Sequence, residues 1–258
     1  MEKIAVVTDT GSNLSFAQAK ELGIYLLPLQ ITIDETTYQD TLEISTQDIY
    51  NELANGKMPK TSMAAYQKIY DLFEELKKEY DTVFAIPLTN GLSTNASTMQ
   101  SIARELEMNV HVIDMYATCA LEKHVAIWIK KLVDENKSSE EILKIIQPAI
   151  DESNSLILVK NLQHLKRGGR LTPMAATLAG LLKIYPVLHI NKSTEGRIDV
   201  LNKVRTEKRA DAYAIDKIMD DIDIEHTVIY IIHSNFLEGL TILKNVLSKK
   251  VYLNKIFI

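Results

Sequence analysis

The chain opens on an unbroken apolar run, Ile4-Ala5-Val6-Val7, that closes on Thr8-Asp9. A short run without polar alternation is the pattern of a strand buried on both faces, as in a parallel sheet. Helical spacing follows over Ser15 to Leu22, and a β-like stretch from Tyr25 to Ile33 ends at a candidate turn, Asp34-Glu35. Thr46 to Ala54 and Ala64 to Glu79 carry helical spacing, the second with Tyr66, Ile69, Tyr70, Phe73 and Leu76 on one face. Thr82 to Leu88 reads as a strand, Ser93 to Leu106 as a helix and Val110 to Asp114 as a strand, and a long helix then runs through His124 and Trp128. Ser138-Ser139-Glu140-Glu141 predicts a helix start, with Ser138 as cap and Glu141 at the third helical position.

Strands alternating with helices imply an α/β fold, here a largely parallel sheet with helices on both faces. The style changes after about Ser153. A strand at Leu156 to Val159 leads into a glycine-basic loop and a helix around Ala175 to Leu182. Strands at Val187 to Ile190 and Ile198 to Val204, a helix at Glu207 to Met219, a strand at Thr227 to Ile232, a helix at Leu237 to Leu247 and a last strand complete the chain. Two α/β domains are expected, residues 1–152 and a smaller 153–258.

Composition narrows the function. The 258 residues carry a formal net charge of −5, with both signs interspersed. Nucleic acid and anionic membrane surfaces both call for basic side chains, so neither is an expected partner. No window approaches the ~20 apolar residues of an integral membrane segment. The N-terminus lacks the longer apolar stretch and cleavage site of a signal peptide, and the expected location is cytoplasmic. Cys119 is the sole cysteine, which rules out an internal disulfide and a multi-thiol metal site, and it reads as a small buried apolar residue.

Candidate chemistry lies at the strand ends, where doubly wound sheets bind ligands. Thr8-Asp9-Thr10-Gly11-Ser12 ends the first strand, and Thr89-Asn90-Gly91-Leu92-Ser93-Thr94-Asn95 follows the strand at Thr82 to Leu88. Pro59-Lys60-Thr61-Ser62 stands before a helix. Ser12, Ser62 and Ser93 all sit where an N-cap belongs, and capping alone would explain each one. Helix N-termini gathered there would also offer free N–H groups to a carboxylate or phosphate. Leu165-Lys166-Arg167-Gly168-Gly169-Arg170-Leu171 adds two glycines among cations but lacks the spacing of a nucleotide-binding loop. No nucleophile elbow, metal-protease helix or cysteine–histidine arrangement is present. The six histidines lack metal-ligand spacing and read as core or surface residues, with His164 beside the basic loop the one of interest. Asp9 and Asp114 can reach the edge, but Asp9 reads as an acceptor for its own loop. No catalytic residue, metal or cofactor is expected.

V-T-D-T-G-S-N-L at 7–14, K-T-S at 60–62, P-L-T-N-G-L-S at 87–93, V-I-D at 112–114 and L-K-R-G-G-R-L at 165–171 together resemble the DegV family. Pro186, Gly196 and Lys203-Val204-Arg205-Thr206 extend the likeness along nearly the whole chain. The resemblance implies a two-domain protein that holds a long-chain fatty acid in an interdomain tunnel and presents its carboxyl group to a separate fatty acid kinase, with no catalysis of its own. Thr61 and Ser93 then match the carboxylate-binding hydroxyls, with Ser62, Thr94 and Asn95 beside them. Arg170, with Lys166, Gly168 and Gly169, matches the head-group or kinase-facing surface. Leu92, Met115, Leu162, Met174, Leu178 and Leu182 are candidates for the tunnel wall, each equally explicable as core.

Three departures are visible. Thr94-Asn95 stands where the family has Gly-Thr, Met115 where it has a serine or threonine, and the chain ends at Ile258 without the family's last, histidine-containing segment. A fatty acid suits the pattern physically. About 15 buried methylenes at ~0.8 kcal/mol each roughly match the ~4–15 kcal/mol cost of association, so the carboxylate must be well satisfied. An enzyme acting on a small carboxylated or phosphorylated metabolite through Arg170 and Asp9 is the alternative, and a regulatory protein without a ligand is a third.

Overall fold

The computed structural model describes residues 2–179, 184–223, 226–247 and 256–257. The chain divides into two compact units, one of residues 1–154 with 191–197 and one of residues 155–190 with 198–258. The short excursion 191–197 makes the first unit discontinuous in sequence.

In chain order the first unit holds β1 (Ile4–Asp9), α1 (Phe16–Leu22), β2 (Tyr25–Leu27), β3 (Gln30–Ile33), β4 (Thr36–Gln39), α2 (Thr46–Ala54) and β5 (Lys60–Ser62). It continues with α3 (Tyr66–Leu76), β6 (Thr82–Ile86), α4 (Asn95–Glu105), β7 (Val110–Val112), α5 (Ala120–Asp134) and α6 (Ser139–Glu152). A four-stranded sheet of order β2-β1-β6-β7 is parallel throughout. In its register Ala5 pairs with Val83 and Val6 with Phe84. Because side chains alternate across a strand, the buried run of β1 serves two cores at once. Ile4, Val6, Phe84 and Ile86 pack with Val125 and Ile129 of α5 and Ile142 and Ile146 of α6. Ala5, Val7, Val83 and Ala85 pack with Ile69 and Phe73 of α3 and Met99 and Ile102 of α4. Each large side chain so buried contributes roughly 1.5–3 kcal/mol.

The continuous β-like stretch from Tyr25 to Ile33 is instead two strands in different sheets. Pro28 separates them, because it has no N–H to donate to a ladder. β3 leaves to form the antiparallel sheet β4-β3-β5, closed by the predicted turn at Asp34 and Glu35.

The second unit contains β8 (Asn154–Leu158), α7 (Leu162–Arg167), α8 (Pro173–Leu178), β9 (Tyr185–Asn191), β10 (Asp199–Val204), α9 (Glu207–Asp221), β11 (Ile229–Tyr230), α10 (Leu237–Leu247) and β12 (Ile256–Phe257). Its main sheet has the order β10-β9-β8, with β9 and β10 antiparallel. Ala210 and Ala214 of α9 pack on Val187.

The glycine-basic loop is largely helix. Asn161 caps α7, Lys166 and Arg167 occupy its last turn, and Gly169 follows at φ +74 as the left-handed stop. Cations there complement the helix C-terminus, so part of the motif has a local structural role.

Candidate functional site

In the parallel sheet the chain runs outward in opposite directions from β1 and β6, which makes the gap between their ends a topological switch point. Asp9 bridges that gap. Its Oδ1 accepts the Gly11 N–H at 2.8 Å, and its Oδ2 accepts the Leu88 N–H at 2.9 Å and the Asn95 amide at 2.6 Å. Asp9 thus ties the β1 loop, the β6 loop and the first turn of α4 together from a fully buried position. Burial raises its pKa, and the three N–H donors oppose that rise.

Further bonds close a ring around the mouth. Thr10 Oγ1 accepts the Leu29 N–H at 3.1 Å, and the Gln30 amide donates to the Met63 carbonyl at 2.9 Å. Met63 Sδ in turn accepts the hydroxyls of Thr94 and Thr98, both at 3.3 Å. The perimeter therefore runs from Asp9 through α4, the end of β5, the start of β3 and the β1 loop back to Asp9.

Thr61 and Ser62 are exposed on the edge strand β5, paired with Ile31 and Gln30 of β3. Ser93 is half-buried, its Oγ accepting the Asn95 N–H at 3.2 Å, and Thr94 is exposed. The Met63 contacts bring the end of β5 to the first turn of α4. None of the three expected caps is a helix N-cap. Thr94, not Ser93, is the residue before α4. Ser15, not Ser12, caps α1, and Ser12 instead donates to the Asp9 carbonyl at 2.7 Å. Ser62 belongs to a strand, and Ala65 precedes α3 without a side-chain bond.

Asn95 is not available at the mouth as a direct ligand group. It is fully buried and its amide nitrogen is committed to Asp9, because the helix carries it inward beneath Ser93. Met115 is likewise part of the α5-side core. Leu92 is half-buried in the first unit. Lys166, Gly168, Gly169, Arg170, Leu162, Met174 and Leu178 belong to the second unit, where Arg170 folds back to donate to the Gly168 carbonyl. Met174 is exposed and Leu178 buried, while Leu182 lies outside the described residues.

Glu122 and the meeting of Gly91 with Gly196 escaped the sequence reading, while Asp114, expected to reach the edge, takes up loop N–H groups. Glu122 is fully buried on the same stripe of α5 as Val125, Ala126 and Ile129, and a carboxylate at core spacing was the available signal. Burial first, and the neighbouring Asp9 charge second, push its pKa well above the usual carboxylate range. Asp114 accepts the Asn90 and Tyr116 N–H groups and so orders two loops. Gly91 and Gly196 meet backbone to backbone, since a Cβ on Gly91 would lie 2.1 Å from the Gly196 carbonyl carbon. That contact docks the excursion on the β6 loop.

Beside β7 lies a cleft of about 700 Å³ bordered by Asn90, Asp114, Tyr116, Gln147, Lys192 and Arg197. Its polar lining is unsuited to an acyl tail. No helix among the described residues is long and apolar enough to cross a membrane, and no cluster of metal-ligating side chains occurs among them.

Comparison with known proteins adds a family. A family model described as an uncharacterised protein of the DegV family matches residues 3–258. A DegV domain-containing protein of Caldanaerobacter subterraneus subsp. tengcongensis is 31% identical over 260 residues, 99% of this chain and 91% of the relative. A crystal structure described as a fatty acid binding DegV family protein from Streptococcus agalactiae matches with TM-score 0.90 and 30% identity, covering 100% of this chain and 92% of that one. One of DegV, described as a fatty acid binding protein from Bacillus subtilis, matches with TM-score 0.85 and 27% identity over 100% and 91%.

Proposed function

Because the chain belongs to the DegV family, we propose that it binds a long-chain fatty acid and presents its carboxyl group to a separate fatty acid kinase. The carboxylate is assigned to the mouth held by Asp9, with Ser93 and Thr61 as hydroxyl donors and Ser62 and Thr94 beside them. The observation that carries this reading is the closed ring at the switch point, where exposed hydroxyls meet the start of α4, whose cap residue Thr94 turns its hydroxyl to Met63 instead of capping the helix. Hydroxyl and amide donors satisfy a carboxylate without a cation, and helix N-termini favour the same charge. They do not make its oxygen a better nucleophile or supply a phosphoryl donor, which is why the phosphorylation step is assigned to a partner. Arg170 with the Lys166 to Gly169 turn is the surface assigned to the kinase.

Protein purified from a bacterial host is expected to release an extractable acyl chain and to rebind oleate, seen by native mass spectrometry. Ser93→Ala and Thr61→Ala are expected to weaken that binding. A chain that stays ligand-free after incubation with oleate and palmitate would sink the proposal. Acyl-phosphate formation with ATP should require an added kinase, and turnover of a small carboxylated metabolite without one would favour an enzyme instead.

A further inference from the structure

Beneath the mouth two fully buried carboxyl groups face Gly11, where a Cβ would lie 2.7 Å from Asp9 Oδ1 and 3.2 Å from Glu122 Oε2, and neither takes part in an ion pair among the described residues. The hydrogen bonds apportion their protons. Asp9 receives three N–H donors and offers none in return, the pattern of an ionised carboxylate. Thr8 has a single hydroxyl proton, and its Oγ1 lies 2.6 Å from the Ile86 carbonyl, which can only accept. The same Oγ1 lies 3.1 Å from Glu122 Oε1, so that contact is a hydrogen bond only if Glu122 supplies the proton. Glu122 Oε2 meets no N–H or O–H donor, so with the single proton on Oε1 toward Thr8 the acid leaves Oε2 uncharged near the Asp9 carboxylate instead of adding a second like charge.

We infer that Glu122 is kept as an uncharged carboxylic acid and is the positioning residue for Asp9, so that the loops forming the ligand mouth stay joined only while Glu122 holds its proton. The ligand part rests on the fatty-acid reading; the protonation part does not.

The surroundings leave little else to titrate against. β1 contributes Asp9, the turn Thr10–Ser12 contributes no ionisable side chain, and β6 contributes none. α6 packs on α5 through Ile142 and Ile146 and turns Glu140, Glu141, Lys144, Asp151 and Glu152 to solvent. On α5's own side the Cys119 thiol, which burial holds neutral, acts on Glu122, and Lys123 and His124 next in the chain are half-buried, with burial lowering the pKa of His124. Losing the Glu122 proton would put two negative charges in an apolar setting, directly under a site meant for a third. The folded chain therefore holds this proton more tightly than the unfolded chain. Stability falls as pH rises from the ordinary glutamate value through the raised folded one, and it does not recover above it.

The experiment compares the full chain with Glu122→Gln, which keeps a donor but cannot ionise, and Glu122→Leu, which keeps bulk only. The first readout is the infrared carbonyl band of a buried carboxylic acid, followed between about pH 5 and about pH 9. It is expected in the unmodified chain at neutral pH, absent from Glu122→Gln, and lost on titration together with part of the urea resistance. The second readout is oleate affinity. Glu122→Gln should bind within about twofold of the unmodified chain at neutral pH and stay flat above it. The unmodified chain should weaken about tenfold at high pH, and Glu122→Leu about tenfold throughout. No band removed by Glu122→Gln, or a Glu122→Gln variant as impaired as Glu122→Leu, would overturn the inference. If Glu122→Leu does not fold, the Glu122→Gln comparison decides alone. If oleate binds no form, the fatty-acid reading falls, while the infrared band and the pH profile of stability still judge Glu122.

Discussion

The helices of the first unit begin in two ways. α1, α2 and α6 start with complete capping boxes, Ser15 with Gln18, Ser45 with Asp48 and Ser138 with Glu141. α3, α4 and α5 start at Ala65, Thr94 and Cys119, none of which makes a side-chain cap bond. The uncapped three follow β5, β6 and the β7 loop, and the boxed α1 follows β1 at the same mouth. The boxed ends are closed by their own first turn, whereas α4 is closed in part from the preceding loop, where Ser93 Oγ accepts the Asn95 N–H and Asn90 Oδ1 the Ser97 N–H, both at 3.2 Å. Capping in this protein therefore separates helix starts closed within their own first turn from starts that depend on residues of other segments. The acidic residue in the first turn of α5, Glu122, is buried, so that end carries no exposed carboxylate.

That difference can be broken at several points. The largest effect is expected for Asp9→Ala, which strands the Leu88 and Gly11 N–H groups and the Asn95 amide. It should lose about 3 kcal/mol or more in urea unfolding, together with ligand binding. Gly91→Ala forces a Cβ into the Gly196 backbone and should cost about 1–3 kcal/mol by the same measurement. Ser93→Ala and Thr61→Ala should each weaken oleate binding about tenfold in a titration, Thr61→Ala with the unfolding midpoint nearly in place and Ser93→Ala with a loss of about 1 kcal/mol, since it strands the Asn95 N–H. Ser15→Ala is the mirror case, expected to cost about 1 kcal/mol of stability with oleate affinity unchanged. The smallest effect is expected at Cys119, whose φ of 57 and ψ of −122 match the glycine position of a type II′ turn. Cys119→Gly should raise the thermal midpoint, by up to about 1 kcal/mol of stability, because relief of strain outweighs the added freedom of the unfolded chain.

Much of this site was legible in the residues. The apolar run of β1, the strand at Thr82 to Leu88 and the hydroxyl-rich loops after both set the switch point, because strand ends and loop chemistry are local properties. Asp9 was legible as an organiser of its own loop, since a carboxylate among Thr, Gly and Ser accepts nearby N–H groups. Its hold on Leu88 and Asn95 was not, because those partners lie 79 and 86 residues away. Asn95 shows the same limit, reading as one more polar residue of a loop until the helix start turns it inward. The split of Tyr25 to Ile33 was signalled only by Pro28, a cue weaker than the continuous β-like run around it.

The sequence by itself determined the period of each element, the two faces of the parallel sheet and the full capping of α6, since these depend on residues a few positions apart. Only the tertiary structure decided which two carboxyl groups came to share the space beneath the mouth and which segment returned to dock Gly196 on Gly91. The reason is that burial and long-range contact, not local preference, settle which polar groups must find a partner and which proton a carboxyl group keeps.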